Sequence, residues 1–336
     1  MTLIDIAVIG AGSWGTALAK TLADKGHRTA LWGRSVEDLR AIQDSRQNAR
    51  YLPGAMLPAN LTATANLDEA LAGKKLIVSV VPSHTVREVF KNAATQLDSD
   101  AIVCSASKGI ENETLATMDE VLKDVLPGRL GARLTYISGP SFAKEVGLRL
   151  PTAVVVASHD RAAAEAVQGW FSTDRFRVYT SDDVTGVEMG GALKNVMAIA
   201  AGAAEGLGFG HNTRAAIITR GLAEITRLAV RKGANPLTLA GLAGMGDLVL
   251  TCTGDLSRNR TVGMKLGEGK SLKQALSEMK QVAEGVKTTR SAHDLGKRLG
   301  VELPITDAMY RVLHEDMPVK AVVGELLTRP AKHELA

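Results

Sequence analysis

Short, nearly unbroken apolar runs punctuate the first half of the chain: IAVIG (6–10), TALW (29–32), KLIVSVV (75–81), AIVCSA (101–106), LTYISG (134–139) and TAVVVAS (152–158). Continuous rather than alternating apolar runs suit strands buried on both faces, as in a parallel sheet. Helical periodicity fills several of the gaps, over 14–25, 36–47 and 84–96. Strand–helix alternation predicts right-handed βαβ units and a doubly wound α/β sheet. Beyond about residue 181 the strand pattern stops and helical spacing takes over. Asn212 is placed to cap a helix through RAAIITRGLAEITRLAVRKG, which closes on Gly233 and Pro236. Ser271 is placed to cap another, and Gly300 and Pro304 punctuate later ones. The expectation is an α/β domain over 1–181 and an all-helical domain over 182–336.

One stretch of the helical half breaks the amphipathic rule. Between Val187 and Ala204 the only polar side chains are Glu188, Lys194 and Asn195. A helix apolar nearly all round expects burial, yet lysine is almost never fully buried without a partner. Gly190 and Gly191 each cost about 1 kcal/mol relative to Ala in a helix interior. A close approach of this helix to the first domain explains both oddities, since Lys194 would then reach the cleft between domains. Asn195 would serve polar neighbours there or orient a substrate, or simply hold a structural hydrogen bond. Glu188, seven residues earlier on the same face, is expected in the same polar cluster.

Composition narrows the class. The 336 residues, 45% of them hydrophobic, suffice for about two domains with sizeable cores. The net charge of +4 comes from scattered Lys and Arg, and aromatics make up only 4%. That argues against a nucleic-acid groove. The N-terminal apolar run lacks a basic lead and ends in a Gly-rich turn, so it reads as a strand and not an export signal. No apolar run approaches the roughly 18 residues of a membrane span, and a cytoplasmic location is expected. Cys104 and Cys252 are expected to be reduced and packed. The histidine spacing suggests no metal site.

The GAGSWG turn supplies Gly10, Gly12 and Gly15 in GxGxxG spacing. It follows a predicted strand and opens a predicted helix, the context a Rossmann-type dinucleotide site requires. Gly10 allows the tight turn, Gly12 lets backbone approach a pyrophosphate, and Gly15 permits close helix–strand packing. The second strand ends in LWGRS, without the acidic residue that usually binds a free ribose 2′-hydroxyl. Arg34 instead offers a planar cation for a 2′-phosphate, so NADPH is favoured, with NADH also admitted. Further strand ends place Lys108, Gly139 and Ser141 at the crevice. Helix capping accounts equally well for Ser141, and His84 reads as a structural loop histidine.

In GLAGMGDLVLTCTGDLSRNRTVG, Asp247 stands between Gly-rich backbone and an apolar run. There a carboxylate needs a partner, unless it caps the following helix. Ser257, Arg258, Asn259 and Arg260 gather donors before another helical segment, an arrangement suited to a phosphate. A solvated basic turn would also explain Arg260, which is assigned no ligand.

Taken together, GAGSWGTALA, SASKGIE, SGPSFAKEV, LKNVMAIAAG, GLAGMGDLVLTCTGDLSRNRTVG and VAEGVKTT resemble the bacterial NAD(P)-dependent glycerol-3-phosphate dehydrogenases. The resemblance covers most of the chain and implies a Rossmann domain followed by an all-helical domain. It implies reversible reduction of dihydroxyacetone phosphate to sn-glycerol 3-phosphate, a glycerophospholipid precursor, with a homodimer left open. By the same resemblance, Ser13, Trp14, Arg34, Ala143, Val282 and Glu284 contact the dinucleotide. Lys108, Gly139 and Ser141 border both cofactor and substrate, and Lys194 is the proton donor and acceptor. Asp247, Ser257, Arg258 and Asn259 hold the phosphorylated substrate, with Arg258 also reaching the cofactor. Residue patterns alone would leave Val282 and Glu284 as a helix-joining loop. Two rivals share parts of this reading. A hydroxyacid dehydrogenase of the same build would need a carboxylate site, which the SRNR cluster does not suit. A non-catalytic dinucleotide sensor would have no reason to bury Lys194.

Overall fold

A computed structural model describes residues 2–279, 283–331, 333 and 334. Among the described residues eight strands form one sheet: β1 (Asp5–Ile9), β2 (Arg28–Trp32), β3 (Leu61–Thr64), β4 (Leu76–Ser79), β5 (Ile102–Ser105), β6 (Leu134–Ser138), β7 (Thr152–Ala157) and β8 (Phe176–Ser181). Their order is β3-β2-β1-β4-β5-β6-β7-β8. The sequence therefore steps outward in both directions from β1 and β4. This is the switch point beside which doubly wound sheets bind ligands, at the carboxyl ends of the strands. Apolar clusters cover both faces of the sheet, one including Ile6, Val8, Val78 and Phe171, the other Ala7, Ile9, Ile77 and Phe90.

The sheet departs from the all-parallel expectation. β1 to β6 run parallel, but β7 pairs antiparallel with β6, and β8 pairs parallel with β7. Only the five-residue helix Ala143–Gly147 lies between β6 and β7. A connection this short cannot carry the chain back across the sheet for a parallel return. The apolar runs also miss β3 and β8, the two edge strands. Along β8, Phe176 and Val178 are buried while Arg177 and Tyr179 face outward, so its pattern alternates. β3 buries only Leu61.

The helical half is organised around the 23-residue helix Val184–Gly206, called here the central helix, which buries 19 of its residues. The helix Arg258–Gly267 crosses it at backbone contact. A Cβ on Gly202 would collide with the Arg260 carbonyl oxygen, and one on Gly263 with the Ile199 carbonyl oxygen. Ser271 caps Leu272–Ser277 with a full capping box, Gly300 closes Glu284–Leu299 at φ 65°, and Pro304 opens Pro304–His314. Asn212 is no cap: the helix His211–Arg231 starts earlier, behind Gly210, which puts Asn212 in its first turn.

One stretch, 236–253, is long and apolar enough by composition to cross a membrane, an exception to the sequence expectation. It is divided into Pro236–Leu239, the π-helical turn Leu242–Gly246 and Asp247–Thr253. Its carboxylate, Asp247, is 1% exposed. Cys104 and Cys252 are buried free thiols, both pushed up to about 12 chiefly by burial.

Candidate active site

The glycine-rich turn after β1 has the shape a dinucleotide needs. Gly10 adopts φ +124°, and a Cβ there would lie 2.8 Å from the Val80 carbonyl oxygen. Gly12 has nothing within 4 Å of its missing Cβ, which leaves open space over the turn. Among the described residues no side chain caps the following helix, Ser13–Asp24, and a helix N-terminus suits a phosphate. The indole Nε1 of Trp14 is buried and meets no partner among the described residues. Open space over the turn and an orphaned indole fit a bound NAD(P). Ser13 Oγ donates to the Tyr51 carbonyl at 2.6 Å. Asn48, which sequence reasoning missed, ties the turn down: its Nδ2 donates to Ala11 O at 3.0 Å and Thr16 Oγ1 at 2.8 Å. After β2, a Cβ on Gly33 would stand 2.9 Å from the Ala11 Cβ. Arg34 follows, exposed.

The buried charge on the central helix has its partners. Lys194 Nζ donates to Asp247 Oδ1, and Lys108 Nζ, arriving from the loop after β5, donates to Asp247 Oδ2 at 2.7 Å. One carboxylate therefore joins the sheet domain, the central helix and the helix Asp247–Thr253. Asp247 takes the ion-pairing role and not the capping one. Thr251 Oγ1 donates to the Asp247 backbone carbonyl at 2.6 Å and, more weakly, to Asp247 Oδ1 at 3.4 Å. The π-helical turn before it belongs to a class found frequently at functional sites. Gly191 makes the meeting possible: a Cβ there would fall 2.6 Å from Ser138 Oγ at the end of β6, and 3.6 Å from Lys108 Cδ. Gly190 instead faces Ala243 of the helical half, where a Cβ would be 2.5 Å from its carbonyl oxygen. The two glycines thus serve opposite walls.

Burial moves the protonation equilibria. The Lys194 ammonium is lowered to about 8, first by desolvation; Asp247 opposes the shift and Lys108 adds to it. Burial alone would raise the Asp247 carboxyl, but the two lysines outweigh it and hold the group below its ordinary range. Glu284, in the first turn of Glu284–Leu299, is raised by burial against the opposing pull of Arg258, Lys108 and Lys194. Glu284 and Arg258 therefore belong to the same electrostatic neighbourhood as the lysines.

The SRNR segment divides its work. Ser257 is the N-cap of Arg258–Gly267, its side chain accepting from the Arg260 N–H. Asn259 Nδ2 donates to Asn195 Oδ1 at 2.9 Å and its Oδ1 accepts from the Gly285 N–H at 3.0 Å, so Asn195 fixes the direction of the Asn259 amide. Arg260 turns inward to Glu205, at 2.7 and 2.9 Å, and Asp255, at 3.0 Å, a structural cation. Arg258 is exposed and makes no ion pair among the described residues. Glu188 is not in this cluster: it accepts from the Asp119 N–H at 3.0 Å.

Gly139, at φ +134°, lets the chain turn against Val154, whose Cα would be 3.0 Å from its Cβ. Ser141 Oγ donates to the Gly139 carbonyl at 3.0 Å. Phe142, not Ser141, is the N-cap residue of the helix that Ala143 begins. Val282 lies outside the described residues.

Comparison with known proteins bears on the family and the fold. The family profiles for NAD-dependent glycerol-3-phosphate dehydrogenase match at residues 5–164 for the N-terminus and 183–324 for the C-terminus. The chain is 56% identical to a glycerol-3-phosphate dehydrogenase (NAD(P)+) of Citrifermentans bemidjiense, over 98% of each chain. It is 57% identical to the enzyme so named in Geobacter sulfurreducens, again over 98% of each. The crystal structure of glycerol-3-phosphate dehydrogenase from Coxiella burnetii superposes with a TM-score of 0.93 at 41% identity, covering 97% of this chain and 99% of that one. With both domains matched and the relatives' full length spanned, the chain belongs to the NAD(P)+-dependent glycerol-3-phosphate dehydrogenase family of oxidoreductases.

Proposed function

We infer that the chain reduces dihydroxyacetone phosphate to sn-glycerol 3-phosphate, reversibly, and so supplies a glycerophospholipid backbone. The observation that carries this reading is the buried Lys194–Asp247–Lys108 arrangement, with its lysine poised to about 8. A bound reduced nicotinamide would supply the hydride to the ketone carbon, leaving negative charge on the carbonyl oxygen. Lys194 stabilises that charge and donates its proton. Positioned acid–base catalysis of this kind typically gives about 10²–10⁴-fold. Asp247 holds the ammonium in place, and Lys108 weakens its grip on the proton by like charge. Arg258, which makes no ion pair among the described residues, is exposed to pair with the phosphate dianion. Asn259, steered by Asn195 and Gly285, and Ser257 complete the phosphate clamp. Lys108, Gly139 and Ser141 border both cofactor and substrate. Gly10, Gly12, Ser13, Trp14, Gly15, Arg34, Ala143, Val282 and Glu284 are assigned to the dinucleotide, with Arg34 favouring NADPH.

Steady-state oxidation of NADPH and NADH with dihydroxyacetone phosphate, set against short keto acids, tests the assignment. Turnover of the phosphorylated ketone alone is expected; preference for a keto acid would overturn it. Arg258→Ala is expected to raise the KM for dihydroxyacetone phosphate steeply, and an unchanged KM would remove the phosphate clamp.

A further inference from the structure

A second group of basic side chains lies away from Lys194, where the two domains meet over the strand ends. Arg34 follows β2, His84 stands in the turn Ser83–Thr85 after β4, and Lys287 is in the first turn of Glu284–Leu299. β2 and β4 flank β1 in the sheet, so their carboxyl ends border one part of the crevice, while Lys287 comes from the helical domain. Gly109 marks the contact between the two sides. A Cβ on it would lie 2.7 Å from Ser83 Cβ and 3.7 Å from Thr288 Oγ1. The immediate neighbours of His84 and Lys287 therefore face each other across one glycine. The His84 imidazole is held below its ordinary value by burial first, then by the like charges of Lys287 and Arg34. The His84 ring thus lies within the field of both cations.

None of the three has a carboxylate partner among the described residues, in a chain with 36 acidic side chains. The lysines of the reaction site are by contrast both paired with Asp247. Arg34 and Lys287, gathered from two sides of the crevice with no counter-charge among the described residues, create a local positive potential that an anion would relieve.

We propose that Lys287 is a cofactor-specificity residue that, with Arg34 and His84, binds the ribose 2′-phosphate of NADPH across the domain boundary. The inference rests on the dinucleotide reading above and adds to it. Arg34 supplies the planar donor pair, Lys287 a point charge from the opposite wall, and His84 a neutral ring between them. NADPH then links the two domains at this point, whereas NADH lacks the group that does so.

The test is direct binding, by calorimetry, of NADPH, NADH, adenosine 2′,5′-bisphosphate and 5′-AMP to the full chain and to Lys287→Ala. Lys287 is exposed, so the variant should fold; its thermal midpoint is the control. Lys287→Ala is expected to weaken NADPH and the bisphosphate about tenfold or more while leaving NADH and 5′-AMP within about twofold. Lys287→Arg should retain most NADPH affinity, and the dependence of NADPH binding on salt should become shallower in Lys287→Ala. Equal loss for NADPH and NADH, or no loss for either, would overturn the role of Lys287 while leaving the dinucleotide site standing. A wild-type chain that bound neither nucleotide would overturn both.

Discussion

Lys194 is useful as an acid because three groups pull its proton in different directions. Burial disfavours the ammonium, Asp247 favours it, and Lys108 disfavours it again. The balance near 8 sets opposite pH dependences for the two directions. Ketone reduction needs the protonated lysine, so its kcat/KM should fall as pH rises through about 8. Alcohol oxidation needs the neutral amine and should rise through the same range. Rate profiles in both directions that share no inflection there would exclude Lys194 as the titrating group. Lys194→Ala should lose about 10²–10⁴-fold in kcat while nucleotide binding persists; full turnover would refute the assignment. Asp247→Asn leaves two ammonium groups facing each other without a counter-charge. Breaking a buried pair this way costs about 3–5 kcal/mol, measurable as a lower urea midpoint. The rate inflection of any surviving activity should also move to lower pH, because the carboxylate that supported the ammonium is gone. The sequence displayed the need for a partner to both charges, but not which partner. Lys108 and Asp247 are 139 positions apart and Lys194 and Asp247 are 53 apart, distances no local pattern encodes. Glu188 misled for a related reason. Seven residues put it on the face of Asn195, but about 10 Å along the axis, beside a different set of neighbours.

Among elements, the crossing of the central helix with Arg258–Gly267 is the most demanding. Its glycines meet carbonyl oxygens of the opposite helix, and those backbones have nowhere to retreat. Gly263→Ala should therefore destabilise by about 1–3 kcal/mol or more and disturb Asn259 in the same helix. Gly169→Ala is the matched control, since it is helical and has nothing within 4 Å of the added methyl. It should be neutral or stabilise by about 0.4–1 kcal/mol. Thermal midpoints that rank the two variants the other way would contradict the packing argument. Elements inside the sheet were legible because strands covered on both faces are apolar at most positions. The edges were not, since β3 and β8 alternate or are mostly solvated. The reversal at β7 was hidden because strand direction is written in the length of a connection and not in the strand itself. The glycine turn was readable from its spacing, but Asn48, which anchors it, carries no local signal. It sits 32 residues beyond Thr16.

For the whole molecule, two buried carboxyls set a pH dependence of stability. Glu188 is raised to about 8 by burial and by Asp119, and one of its oxygens has no partner among the described residues. Glu224 is raised to about 7 by burial, against hydrogen bonds from the Ile305 and Thr306 N–H groups at 2.6 and 3.2 Å. A carboxyl whose folded value exceeds its unfolded one holds its proton more tightly when folded. Its stabilising contribution is full below about 4.5 and is lost as pH rises through the folded value. For Glu188 the window is about 4.5 to 8, with a slope of at most about 1.4 kcal/mol per pH unit. Glu188→Gln should flatten the urea midpoint between pH 5 and 8 relative to wild type; parallel curves would show that Glu188 does not titrate there.

The central helix also has a consequence for how the protein is made. Its earlier part needs the sheet, at Ser138, and its later part needs the helix ending at Gly267. Chain growth runs at roughly 5–20 residues per second, so the 61 positions between Gly206 and Gly267 take roughly 3–12 s to emerge. For that interval a largely apolar helix waits beside a finished sheet with part of its covering not yet made. The same segment that carries the reacting lysine is thus the one most in need of a chaperone's shelter at birth.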